Sequence, residues 1–190
     1  RTWDEWLNFT GAISDYLQAN SGPQGNWFLC MYVHNLAHEF QYLSGVLDFG
    51  PGDVFASKPR RVLKCDNRAI EYRCSMRHSN LSLDAWGKQL GAPHAKLTGA
   101  LDYSKVRYPW TSLTSTELAY CVNDVRCIVE CLLIEMNRDG DDLYTLPLTR
   151  TGYVRRAARE AMYKWGIERV KRLLPSWDLY QMLREAFRGG

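Results

Sequence analysis

The chain has 190 residues, 46% hydrophobic and 13% aromatic, which supplies a packed core and argues against wholesale disorder. No apolar run approaches the ~20 residues of a membrane-spanning helix, and the charged, aromatic opening from Arg1 to Trp6 does not read as a secretory leader. The net charge of +3 is uneven: residues 150–190 hold ten Arg/Lys against four Asp/Glu, which leaves the other 149 residues at −3. That distribution suits either a phosphate-rich partner or a solvated basic helix face.

Thr2-Trp3-Asp4-Glu5 has the pattern of a capping box. Trp3, Trp6, Leu7, Ile13, Tyr16 and Leu17 follow at helical spacing, and Asn20-Ser21-Gly22-Pro23 ends that helix. Trp27 to His34 is a near-continuous apolar run of the kind expected in a strand buried on both faces. Phe40, Leu43 and Leu47 predict a second helix, stopped by Phe49-Gly50-Pro51-Gly52. Arg61 to Cys65 and Ala69 to Cys74 flank Asp66-Asn67 and predict a β-hairpin turning at those two residues. Ser82 caps a short helix through Leu90, and Gly91 to Pro109 reads mostly as loop. Thr114 or Ser115 caps a long helix to about Arg138, with Leu118, Val122, Val125, Val129, Leu132 and Met136 expected inward. Asp139-Gly140-Asp141-Asp142 breaks it, and two further helices follow, Thr151 to Trp165 and Ser176 to Phe187. Helices with few strands between them predict an α/β or α+β fold: a small sheet with helices packed on it.

The six cysteines lie in an apolar strand, across the hairpin and along the long helix, with no C-x-x-C pair. Zinc-ribbon spacing is therefore absent, and reduced, mostly buried thiols in an intracellular setting are expected.

Three constellations have chemical potential. Tyr120 and Asp124 are four residues apart, on one face of the long helix. Hydrolysis of a phosphodiester by two metal ions needs carboxylates that hold the ions and a group that orients the attacking water. An Asp with a Tyr one turn earlier supplies one of each, although the same spacing is common in ordinary helices. The second is His34-Asn35-Leu36-Ala37-His38-Glu39 at the end of the apolar strand. Asn35 can bond a base or sugar and Glu39 can serve as a second acid. The segment is also open to reading as a simple turn, or as a zinc site using His34, His38 and Glu39 that lacks a further ligand at familiar spacing. The third is a basic-aromatic tail, Arg155, Arg156, Arg159 and Lys164 beside Tyr153, Tyr163 and Trp165, which suits single-stranded nucleic acid or a packed core. There is no P-loop, no G-x-G-x-x-G and no G-x-S-x-G.

In chain order these segments resemble the 3′–5′ exonuclease domain of a family B DNA polymerase, of the phage and plasmid, protein-primed branch. His34 to Glu39 is similar to the family's second exonuclease motif, and Tyr120-Cys121-Val122-Asn123-Asp124 to its third. Ser82-Leu83-Asp84-Ala85-Trp86 resembles its Ser/Thr-Leu motif, and Gly99-Ala100-Leu101-Asp102-Tyr103 a segment ahead of the third motif. Phe187-Arg188-Gly189-Gly190 resembles the Tyr-x-Gly-Gly linker between exonuclease and polymerase domains.

The resemblance implies an RNase H-like α/β fold, a small mixed sheet flanked by helices, with its first strand missing and a helical C-terminal extension. It implies an exonuclease-like domain over residues 1–145 and a basic helical linker over residues 146–190, leading toward a polymerase domain. Two Mg²⁺ or Mn²⁺ ions would be held with Asp124 and Glu39 as ligands, and Tyr120 would orient the water. Asn35, Ser82, Leu83, Lys96, Tyr103, Phe187, Arg188 and Gly189 would contact DNA. The partners implied are single-stranded DNA or primer-template, the polymerase domain and a terminal-protein primer, with no membrane; the setting would be the cytoplasm of a bacterial host. The family's Asp-x-Glu on the first strand has no counterpart, Glu39 stands where the family has Asp, and Phe187 replaces the linker tyrosine. A piece cut at both ends, without efficient exonuclease activity by itself, is therefore expected.

Overall fold

The computed structural model describes residues 2–23, 25–94, 97, 102, 104–108, 110–166 and 175–186. The chain divides into two compact units, Arg1–Arg150 and Thr151–Gly190.

The first unit is built on a four-stranded mixed sheet in the order β1-β4-β3-β2, made by β1 (Leu29–Val33), β2 (Val54–Ala56), β3 (Val62–Asn67) and β4 (Ile70–Cys74). β1 runs parallel to β4, and β4, β3 and β2 are antiparallel neighbours. Because side chains alternate along a strand, Ile70, Tyr72 and Cys74 share one face with Met31, Val33, Cys65 and Val54. That face forms the core with Leu36, Phe40 and Leu43 of α2 (Leu36–Leu43) and Trp6 of α1 (Trp3–Asn20). The expected α/β architecture, a small mixed sheet flanked by helices, is therefore present.

α1 opens on the expected capping box: the Glu5 N–H donates to Thr2 Oγ1 and the Thr2 N–H donates to Glu5 Oε2. Two orphan donors of the first turn are satisfied reciprocally, a contribution of about 1 kcal/mol.

Three sequence expectations are corrected here. The apolar run from Trp27 forms strand only from Leu29, and all five β1 residues are half-buried rather than enclosed. The reason is position: β1 is the sheet's edge, with β4 as its one neighbour among the described residues. The hairpin turns at Arg68-Ala69 rather than Asp66-Asn67, with Asn67 paired to Ile70 and Arg68 at φ 55°. Asp66 and Asn67 are held in the strand because the Asp66 N–H donates to Asp53 O and the Asn67 amide donates to Asp48 O, both at 2.8 Å. The third concerns the long helix α5 (Ser115–Asp139), whose buried residues are Glu117, Tyr120, Cys127, Cys131, Leu132 and Glu135. Leu118, Val122, Val125 and Val129 face outward and are exposed.

The second unit carries α6 (Arg150–Trp165) from its second residue onward and α7 (Trp177–Ala186). No α6 residue is buried, and the Arg156 guanidinium lies 5.5 Å from the Tyr153 ring centroid. No described helix is long and apolar enough to cross a membrane.

Candidate functional site

In a parallel strand pair the two C-terminal ends lie side by side, and here they hold the first polar cluster. The Ser75 N–H donates to Val33 O at 3.0 Å, which ties the end of β4 to the end of β1. One residue on, His34 Nδ1 lies 3.2 Å from Ser75 Oγ. Ser75 is fully buried, so this serine–histidine contact is structural and offers no accessible nucleophile. The next residue, Asn35, adopts a left-handed conformation (φ 63°, ψ 51°) at the start of α2. Its side chain makes no capping bond, and it is exposed, so its amide remains available to an outside partner.

α4 (Leu83–Leu90) brings the second segment to this strand end. Ser82 caps the helix, accepting from the Ala85 N–H at 3.3 Å. Four residues on, Trp86 stacks on the His34 ring, centroids 5.7 Å apart and planes 16° apart. The indole N–H donates to Glu135 Oε1 at 3.3 Å, and Glu135 Oε2 lies 2.7 Å from His78 Nδ1. His78 belongs to α3 (Met76–Ser79), directly after β4. Both side chains are nearly fully enclosed, His78 at 0% and Glu135 at 6% exposure. Buried polar groups require partners of this kind, since a lone one is costly. Thus His34, Trp86 and Glu135 link the strand end to α4 and α4 to α5.

A second contact fixes α4 on α5. A side chain at Gly87 would place its Cβ 3.0 Å from Cys127 Sγ, so glycine permits the close approach of the two helices. Burial pushes the Cys131 thiol up to about 12 and the Cys127 thiol above its ordinary value. Both therefore act as neutral packing groups.

The inward face of α5 that carries these contacts also carries Tyr120, which is buried, and Asp124, which is half-buried. At its N-terminus Glu117 completes a capping box with Thr114 and accepts from Arg107 Nη2 at 2.5 Å. The Arg107 bond, followed by the Thr114 N–H, holds the Glu117 carboxyl down at about 2.

The structure therefore joins three separately read segments: His34-Asn35 at the strand end, Ser82 to Trp86 on α4, and the helix of Tyr120 and Asp124. Glu39 is exposed in the first turn of α2, and Ser82 is exposed at its cap. Leu83 is buried, with 5% exposure, so its side chain faces the interior. His38 packs edge-on against Tyr42 while His34 lies against Trp86 and Ser75. Lys96, Tyr103, Phe187, Arg188 and Gly189 lie outside the described residues. No group of three or more His, Cys, Asp or Glu side chains among the described residues is placed to hold a metal ion. A complete two-ion centre therefore needs more acids than the described residues gather in one place.

Sequence reasoning passed over His78 and Glu135. The available signal was an acid embedded in the apolar run Leu132-Leu133-Ile134-Glu135-Met136, since a carboxylate there must find a donor if it faces inward.

The sheet's other face is also polar. Arg73, buried on β4, bonds Glu71 and donates to Leu143 O at 2.9 Å and Tyr144 O at 2.8 Å. Lys64 Nζ donates to Glu71 Oε2 at 2.6 Å. Burial by itself would raise the Glu71 carboxyl; the bonds from Lys64 and Arg73 outweigh it and hold the group below the usual range. This network pins the segment after α5 to the sheet.

No protein-family profile matches the chain, and no curated protein matches it. Two solved structures share its fold. Phi29 DNA polymerase complexed with single-stranded DNA matches with a TM-score of 0.53 at 18% identity, over 75% of this chain and 26% of that one. Phi29 DNA polymerase complexed with primer-template DNA, a post-translocation binary complex, matches with a TM-score of 0.56 at 20% identity, over 85% of this chain and 31% of that one. At these identities the match establishes the shared fold, which is consistent with an RNase H-like architecture. The chain spans less than a third of either polymerase.

Proposed function

We propose that this chain is part of a family B DNA polymerase: the region of its 3′–5′ proofreading exonuclease that receives a single-stranded 3′ end. The supporting observation is the His34–Trp86–Glu135 chain of contacts, which links the strand end and α4 to the helix that carries Tyr120 and Asp124. The fold likeness to a polymerase solved with single-stranded DNA supports the same reading. In it Asn35 and Ser82 contact the DNA strand, Tyr120 would orient the attacking water, and Asp124 and Glu39 would be two of the acidic ligands of a Mg²⁺ or Mn²⁺ site that further acids complete. The remaining partners are a primer-template, the polymerase domain and a terminal-protein primer, in the cytoplasm of a bacterial host.

Two divalent ions require more negative charge than these two carboxylates carry. Among the described residues no three acidic, histidine or cysteine side chains gather where an ion could bind. That observation favours a second reading, in which this chain binds single-stranded DNA without hydrolysing it. Mn²⁺-dependent shortening of a 3′-labelled single strand separates the two. We expect the wild-type chain to degrade it no faster than Asp124→Ala does. A wild-type rate clearly above that variant means that further acids complete the site, and it overturns the second reading.

A further inference from the structure

We propose that Tyr108 and Trp110, in the loop ahead of α5, form a stacking platform for an unpaired nucleobase of single-stranded DNA. This inference rests on the reading above and adds to it a base-binding position. The two rings are parallel within 2°, with centroids 5.1 Å apart. Neither ring is spent on the core: Tyr108 is 55% and Trp110 79% exposed. A self-stacked pair of this kind leaves flat π-surface open to solvent.

The platform is held in place. The Tyr108 N–H donates to Thr111 Oγ1 and the Thr111 N–H donates to Tyr108 O, both at 2.9 Å, so the turn is closed from both sides. Arg107 bonds the Asp102 and Lys105 carbonyls at 2.7 and 3.0 Å and the Glu117 carboxylate. It thereby ties the loop to the first turn of the helix that carries Tyr120 and Asp124.

The chemistry selects the ligand. An open, flat aromatic face stacks any base, because every base has a π-face of its own. Exposed Lys105, three residues before Tyr108, supplies a cation for the adjoining phosphate. No concave pocket is needed, and the position lies on the element that leads into α5.

The test compares binding of a fluorescent oligothymidylate with an abasic oligomer of equal length, at low salt, to the full chain. Trp110→Ala should weaken oligothymidylate binding on the order of tenfold and leave abasic binding unchanged, while Trp110→Phe retains most of the affinity. Because Trp110 is exposed, unchanged circular dichroism and melting are expected for both variants. If wild type binds oligothymidylate and Trp110→Ala binds it equally well, the platform is refuted and the DNA reading survives. If wild type binds neither oligomer, both are refuted, and the aromatic pair belongs to a protein contact instead.

Discussion

The two faces of α5 invert the usual arrangement of a surface helix. Its inward face holds Glu117, Tyr120, Asp124 and Glu135 among two cysteines, while its outward face presents Leu118, Val122, Val125 and Val129. A helix normally hides its apolar stripe. Here the two buried acids each have a specific partner: Arg107 for Glu117, and His78 with Trp86 for Glu135. This face buries hydrogen-bonded acids together with Cys127, Cys131 and Leu132. A polar interior of that kind costs stability unless it is fully satisfied, so it fits a helix whose inner face has a task beyond packing. The outer face makes no such demands.

The largest effect should therefore come from removing an inward acid. Glu135→Ala leaves His78 and the Trp86 indole N–H buried without their acceptor and should cost about 3 kcal/mol of stability. Urea unfolding measures it, and Glu135→Gln, which keeps an oxygen for Trp86, should cost less. Gly87→Ala should follow at about 1–3 kcal/mol, because its Cβ meets Cys127 Sγ at 3.0 Å. Adding Cys127→Ala should recover part of that loss.

Acid sensitivity sharpens the comparison further. The Glu117 carboxyl is depressed in the folded chain, so its contribution is complete above the ordinary carboxylate value, near 4.3. It is lost as the pH falls toward the folded value of about 2. Melting temperatures over that window should fall more steeply for wild type than for Glu117→Gln. The smallest effect belongs to the outer face: Val125→Lys should change stability by no more than about 0.5 kcal/mol. A large loss there would show that the outward stripe is covered.

Local signals were legible in the sequence. The capping box at Thr2, a cap at Thr114 or Ser115 and the cap at Ser82 are settled within three residues, and the structure contains them, the second at Thr114. Of the candidate site, the sequence placed Tyr120 and Asp124 on one helix face, since helical spacing alone does that. It turned the apolar stripe of Leu118, Val122, Val125 and Val129 inward instead, because the true choice depends on His78 and Trp86, more than forty residues away along the chain from Glu135. The edge position of β1 and the strand β2 were equally hidden, for strand order is a property of the assembled sheet. The Tyr108–Trp110 stack had a local sign, two aromatics around a proline after Lys105 and Arg107. A loop carries no periodicity, so the sign went unread.

In the proposed function the linked segments around Asn35, Ser82 and α5 receive a single DNA strand. Its most direct test is the affinity of the full chain for a single-stranded oligonucleotide against a duplex of the same sequence, for wild type and Asn35→Ala. Wild type should prefer the single strand, and Asn35→Ala should weaken this binding about fivefold, the net worth of one hydrogen bond of ~1 kcal/mol, with the duplex unaffected. Equal affinity for both forms, falling with salt alike and indifferent to Asn35→Ala, would reduce the interaction to nonspecific charge and contradict it.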